Sequence, residues 1–348
     1  MISIPRTLPA LAATFLLAAT LGSPALARVP VILDTDIGDD IDDTWALAML
    51  LSSPQLDLKL VTTTCGKAEY RAKIVAKILT AAGRTDVPIG LGAGGRDGAG
   101  GQQPWVQDYQ LADYPGKIHQ DGVQALIDAI QQSPQPMTVI AIGPLHTLAA
   151  ALDRQPAIAG KAMLVGMQGS VRKGYGDGKT PAAEYNVAAN VKASQKVLSA
   201  PWRSISITPL DTCGLVTISG DRFQRLKDSR NPLARTVLEN YRIWSGKKSL
   251  DELQASSVLF DTVAVYLAYP DSRPLVKLET LPIAVTPDGF TRIDAGGTTM
   301  SVAGDWTDLD AYRDLVVTAL DRQSPTSPRF WVVYRSRRAI RRAWRQGM

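Results

Sequence analysis

The chain has 348 residues, of which 45% are hydrophobic and 20% charged, with a formal net charge of +5. That is ample for a large core, and with no long low-complexity tract it argues against a disordered protein. The positive charge does not point to nucleic acid: one arginine lies in residues 1–27 and seven in 325–348, no acid lies in either, and the remainder sums to −3.

Residues 1–27 read as a secretory signal peptide. Arg6 gives a positive start, Leu8 to Leu21 is uncharged, and Ala25-Leu26-Ala27 places small residues before a cleavage at Arg28. The apolar stretch is shorter than the roughly 20 residues a membrane span needs. An exported protein, periplasmic or secreted, is expected. Cys65 and Cys213 leave open either two buried thiols or one bridge.

Residues 28–324 read as one large domain. Strands are expected at Val29 to Leu33, Leu58 to Thr64, Val87 to Gly90, Met137 to Ile142, Ala162 to Met167 and Arg203 to Ile207. Helices are expected at Trp45 to Leu51, Ala68 to Ala82, Val123 to Gln131, Thr147 to Leu152 and Val191 to Leu198. The strands are continuous apolar runs alternating with helices. That predicts an α/β fold with an open, mostly parallel sheet covered on both faces. Gly92 to Gln103 reads as a mobile loop and Arg172 to Thr180 as a second glycine-rich loop. Asp221 to Leu267 reads as mostly helical, Val276 to Met300 as a small sheet extension, and Asp308 to Asp321 as a closing helix.

The chemistry centres on Asp34-Thr35-Asp36-Ile37-Gly38-Asp39-Asp40-Ile41-Asp42-Asp43, six aspartates in ten residues with no Lys or Arg among them. Crowded like charges require either protonation or a cation. The ligands on offer are all oxygens, which favours Ca²⁺ or Mg²⁺ over zinc. An EF-hand fits poorly, because Gly38 holds the fifth position and a strand precedes the loop. A phosphatase reading would use Asp34 as nucleophile and Asp36 as acid, with Mg²⁺. A solvated acidic turn conflicts with the apolar flanks.

The run resembles the opening Asp-x-Asp-x-Gly-x-Asp-Asp motif of the inosine-uridine-preferring nucleoside hydrolases, in a variant two residues longer that is similar to exported bacterial members. Four later segments are similar to family motifs in the same order: Ile142-Gly143-Pro144-Leu145, Met167-Gln168-Gly169, Ala183-Glu184-Tyr185-Asn186 and Phe260-Asp261-Thr262-Val263-Ala264. The resemblance implies N-glycosidic hydrolysis of a ribonucleoside. It implies Ca²⁺ held by Asp36, Asp43, the Ile142 carbonyl and Asp261, with Asp36 as general base for the attacking water. It places Asp42, or Asp40 given the longer loop, with Met167, Glu184 and Asn186 against the substrate. A homo-oligomer is implied as well.

The chain departs from the family at several points. Phe260 stands where many members have a histidine that protonates the leaving base. An aromatic there is similar to the purine-preferring branch, and Phe260 with Trp105 or Tyr109 could sandwich a purine. Gly66-Lys67 replaces a Gly-Asn, and Gly178-Lys179 falls where an asparagine is common. The departures at Lys67 and Phe260 leave room for a non-catalytic ribosyl-binding protein. Outside the resemblance, the Arg-rich tail 325–348 is either a solvated tail or a weak membrane-surface contact.

Overall fold

The computed structural model describes residues 28–95, 98–270 and 275–322. The signal-like segment and the arginine-rich tail therefore lie outside the described residues. Ten strands form one sheet: β1 (Val29–Thr35), β2 (Leu56–Thr63), β3 (Ile89–Gly90), β4 (Ile118–His119), β5 (Met137–Ala141), β6 (Ala162–Met167), β7 (Ile205–Thr208), β8 (Val276–Val285), β9 (Thr291–Ile293) and β10 (Thr298–Trp306). Their order is β4-β3-β2-β1-β5-β6-β7-β10-β8-β9. The first seven strands pair in parallel, as expected.

The expected small extension is part of this sheet, not an addition to it. β10 pairs in parallel with β7 through Ser301↔Ser206 and Val302↔Ile207, and β8 and β9 continue antiparallel from it. Sequence spacing alone could not show this, because β10 reaches β7 across the intervening helices.

Burial explains the continuous apolar strands. In β1, Val31 and Leu33 face one core while Ile32 faces the other, so neither side of the strand meets water. Helices Asp42–Leu51, Ala68–Ala81 and Pro232–Trp244 cover the first face, and helices Gly122–Gln132, His146–Arg154 and Val191–Ser199 the second. Several helices start where a side chain satisfies an orphan amide. Asp121 accepts from Gln124 N, Asn190 from Ala193 N, and Asp308 from Ala311 N. Among the described residues, no helix is long and apolar enough to cross a membrane.

Chain order along the sheet reverses at β1, which lies between β2 and β5. In an open α/β sheet a ligand binds at such a switch point, beyond the strands' carboxyl ends. The acidic run leaves β1 at that place.

Candidate active site

The six aspartates do not share one fate. Asp34, still within β1, has no exposure and accepts from Thr62 Oγ1 at 2.6 Å. Its second oxygen has no partner, and burial pushes its pKa well above the usual range. It does not reach the pocket. The phosphatase reading, which needs Asp34 as an accessible nucleophile, loses its central group.

Asp39 turns the other way. Its carboxylate meets Lys67 Nζ at 2.5 Å and Arg71 Nη2 at 2.9 Å. Burial opposes its charge, yet these cations hold it below the ordinary carboxylate range. The buried Arg71 also donates to the carbonyls of Gly66, Ile37 and Cys65 at 2.9, 3.0 and 3.3 Å. Asp39 is thus the loop's anchor to the start of helix Ala68–Ala81. Gly38, at φ +125°, lets the loop turn under Tyr70, whose ring lies 2.6 Å from where a Cβ would stand.

The remaining four aspartates line one pocket. Asp36, Asp42 and Asp43 are 7%, 4% and 3% exposed, whereas Asp40 sits at the exposed rim. Asp42 and Asp43 open helix Asp42–Leu51, where the helix dipole favours negative charge. Asp261 comes from the start of helix Thr262–Leu267 and is 3% exposed. Ligand oxygens of Asp42, Asp43 and Asp261 lie within 4.8 Å of one another. Thr35 Oγ1 donates to Asp43, fixing its rotamer.

Electrostatics place Asp36 beside this triad. Burial lifts its pKa to about 6, and its own charge helps to raise Asp42, Asp43, Asp261 and Glu184. Asp42 is pushed to about 8, first by burial and then by Asp40 and Asp36. Asp43 and Asp261 stand well above the usual range for the same reasons. Four buried carboxyls repelling one another, with all donors hard oxygens, fit a divalent hard cation. Asp42, Asp43 and Asp261 form the tight group, with Asp36 and Ile142 lining the same pocket. Two of the expected ligands, Asp43 and Asp261, thus lie in the tight group together with Asp42, a residue expected against the substrate, while Asp36 and Ile142 line the pocket beside it.

Glu184 and Asn186 serve the frame as well as the pocket. Glu184 caps the helical turn Tyr185–Ala188, accepting from Gly169, Asn186 and Val187 amides at 2.8, 2.7 and 3.3 Å. Burial raises it to about 7 despite these bonds. The Asn186 amide donates to the Ile142 and Met167 carbonyls at 3.2 and 3.1 Å, tying the ends of β5 and β6 together. A carbonyl oxygen has two lone pairs, so Ile142 keeps one for a further partner.

The rim carries aromatic residues, but only one of those expected. Phe260 lines the pocket; Trp105 does not. Trp105 is 7% exposed, packed in the first core with Lys77 Nζ 4.2 Å over its ring. Tyr109 is buried in the same core. The reason is the short helix Gln103–Val106 at the end of the glycine-rich loop: Gln102 is fully buried and donates to the Asp40 carbonyl at 2.7 Å. Tyr175 and Tyr185 occupy the rim instead, 48% and 53% exposed, with Tyr175 edge-on to Phe260 at 6.2 Å. Tyr185 belongs to the Ala183-Glu184-Tyr185-Asn186 segment, whereas Tyr175 carries a fainter signal as the one aromatic in the glycine-rich stretch before Glu184.

Both cysteines are free thiols. Neither His119 nor His146 lines the pocket. A wider surface groove of about 530 Å³, against about 130 Å³ for the acidic pocket, lies along Asp221, Arg225 and Asp321. Its Asp321 already pairs with Arg225 at 2.9 Å.

Residues 31–324 match the family model described as inosine-uridine preferring nucleoside hydrolase. The chain belongs to this family. It is accordingly a ribonucleoside N-ribosyl hydrolase. The chain is 31% identical over 230 residues to a pyrimidine-specific ribonucleoside hydrolase RihA from Enterobacter sp. (strain 638), spanning 61% of this chain and 69% of that one. It is 29% identical over 290 residues to a non-specific ribonucleoside hydrolase RihC from Klebsiella pneumoniae, spanning 80% and 90%. In fold, this hydrolase is similar to a plant nucleoside hydrolase, PpNRh1 (TM-score 0.71, 21% identity, 85% and 99% covered). It is also similar to a purine-preferring ribonucleoside hydrolase from Gardnerella vaginalis (TM-score 0.65, 21% identity, 84% and 98% covered).

Gly143 offers a test of how tightly this hydrolase builds its site. A Cβ there would lie 2.6 Å from Asp36 Oδ1 and 2.9 Å from Asp36 N. Gly143→Ala is expected to displace the Asp36 carboxylate, costing about 1–3 kcal/mol of stability and roughly 100-fold in kcat. Thermal melts and steady-state rates check both.

Proposed function

We propose that this hydrolase cleaves the N-glycosidic bond of purine ribonucleosides with a calcium ion at Asp36, Asp42, Asp43, Asp261 and the Ile142 carbonyl. The observation that carries the reading is the burial of four mutually repelling carboxyls at the sheet's switch point, beneath an aromatic rim. A bound cation would supply the positive charge that keeps these acids ionised together and would orient oxygen groups of the substrate.

The chain's own residues then divide the work. Asp36 takes a proton from the water that attacks C1′, its carboxylate held in place against the Gly143 backbone. Asp42, Glu184 and Asn186 bind ribose hydroxyls and hold the sugar over the acids. Glu184 already takes three amides, which locks its orientation and leaves one lone pair on Oε1. The transition state is oxocarbenium-like, and the surrounding carboxylates stabilise its positive charge.

Phe260 supports the purine preference, because a bicyclic base offers the larger face for stacking. The relatives named above are described as pyrimidine-specific, non-specific and purine-preferring, so this preference rests on the rim of this chain. The reading extends to an exported protein cleaved before Arg28, acting as a homo-oligomer.

The test is release of free base from inosine, guanosine, adenosine, uridine and cytidine by the purified chain. We expect all three purines to outpace the pyrimidines. Faster release of uracil and cytosine would overturn the purine preference, and no release from any of them would overturn the activity.

A further inference from the structure

We propose that Tyr175 is the residue that gives a proton to the departing base. This rests on the N-glycosidic reading above. That reading assigns the carboxylates at the pocket floor to the sugar and to the water, and leaves the base side without an acid. Phe260 cannot donate, and both histidines lie elsewhere.

The hydroxyl-bearing residues that line the pocket are Tyr175 and Tyr185. Tyr185 lies beside the Cys65 thiol. Tyr175 is placed differently. Its oxygen accepts the Tyr185 backbone N–H at 2.9 Å, and no described residue takes its proton in return. One lone pair is thus anchored by an amide while the O–H stays available at the pocket mouth. The ring stands at 80° to Phe260 with 6.2 Å between centroids, which puts Tyr175 next to the residue assigned to the base.

The loop is built to hold this group. Gly174 N bonds to Gly178 O at 2.9 Å, Ser170 Oγ to Lys173 O at 2.5 Å, and Gly176 takes φ +65° beside the tyrosine. Burial and the nearby Glu184 push the phenol up to about 12, so it keeps its proton across the working pH range. Glu184 does not compete as donor in this reading, because three amides fix its orientation and its remaining Oε1 position is assigned to a ribose hydroxyl.

The step balances. As the C1′–N bond breaks, its electron pair leaves with the base, and the Tyr175 proton passes to a base nitrogen or oxygen. Water oxygen bonds to C1′ and yields its proton to Asp36. The phenolate, held by the Tyr185 N–H, is reprotonated by solvent, and Asp36 releases its proton to solvent.

The experiment compares the wild-type chain with Tyr175→Phe on inosine and on p-nitrophenyl ribofuranoside, whose leaving group departs as a stable anion. The variant keeps the ring against Phe260 at a half-exposed position and is expected to fold. We expect kcat on inosine to fall roughly 100-fold and kcat on the nitrophenyl riboside to change less than about 3-fold. Equal loss on both substrates, or loss on neither, overturns the assignment of Tyr175. Failure of the wild type to release hypoxanthine overturns the N-glycosidic reading itself, and this step with it.

Discussion

Asp36→Asn is expected to lower kcat on inosine about 1,000-fold while leaving the metal-free chain more stable. The two effects come from one geometry. Asp36 is buried to 7% exposure, and its charge helps to raise the pKa of Asp42, Asp43, Asp261 and Glu184. As general base it contributes within the usual 10²- to 10⁴-fold range, and an amide cannot take the proton. As one of several crowded acids it costs the empty site energy, and the isosteric amide removes that repulsion. A purely structural Asp36 would show the opposite: a lower melting temperature, with activity lost only as folded protein is lost. Rates and melts on the same preparation, with and without chelator, separate the two.

The second large effect is on stability against pH. Without cation, Asp36 titrates near 6 and Asp42 near 8, and Asp43 and Asp261 stand well above the usual range. In the unfolded chain each titrates at about 3.9. Between about pH 4 and 8 the folded metal-free state therefore holds protons that the unfolded state has released. Stability then falls as pH rises. A cation binds the ionised carboxylates, so the folded state gives up those protons and the slope flattens or reverses. At a calcium concentration 100 times its Kd, binding adds about 2.7 kcal/mol, or roughly 4 °C in melting temperature for a domain of this size. The gain should be largest near pH 8 and smallest near pH 5. A gain that is equal at both values, or absent, would contradict the carboxylate site.

Much of the fold and part of the site could be read from the sequence, for physical reasons. Continuous apolar runs such as Val31-Ile32-Leu33 exist because both faces of β1 are buried, and that pattern reveals a covered parallel sheet. Six aspartates at a strand end signal a cation, whatever their individual roles. Those roles stayed hidden because they depend on distant partners. Asp39 is an anchor only because Lys67 and Arg71 come back to it from the next helix. Asp34 is sealed only because Thr62 of β2 sits beside it. Trp105 reads as a base-stacking residue until Gln102 folds the loop against Asp40, Thr44 and Asn240 and turns the indole into the core. Tyr175 went unnoticed for the opposite reason, since a lone tyrosine among glycines carries no periodic signal.

The same partners explain Lys67, which stands where the resemblance implies an asparagine. Its φ of 52° at the start of helix Ala68–Ala81 and its bond to Asp39 make it part of the loop's scaffold. The pocket thus keeps its floor of carboxylates while its rim is furnished by Tyr175, Tyr185 and Phe260.

The central claim is that the Asp42, Asp43 and Asp261 cluster, with Asp36, holds a hard cation that the hydrolysis of ribonucleosides requires. The most direct measurement is hypoxanthine release from inosine by the purified chain before chelation, after exhaustive chelation, and after calcium is returned. We predict that release is abolished by chelation and restored by calcium. Release that continues undiminished in the chelated chain would contradict the account.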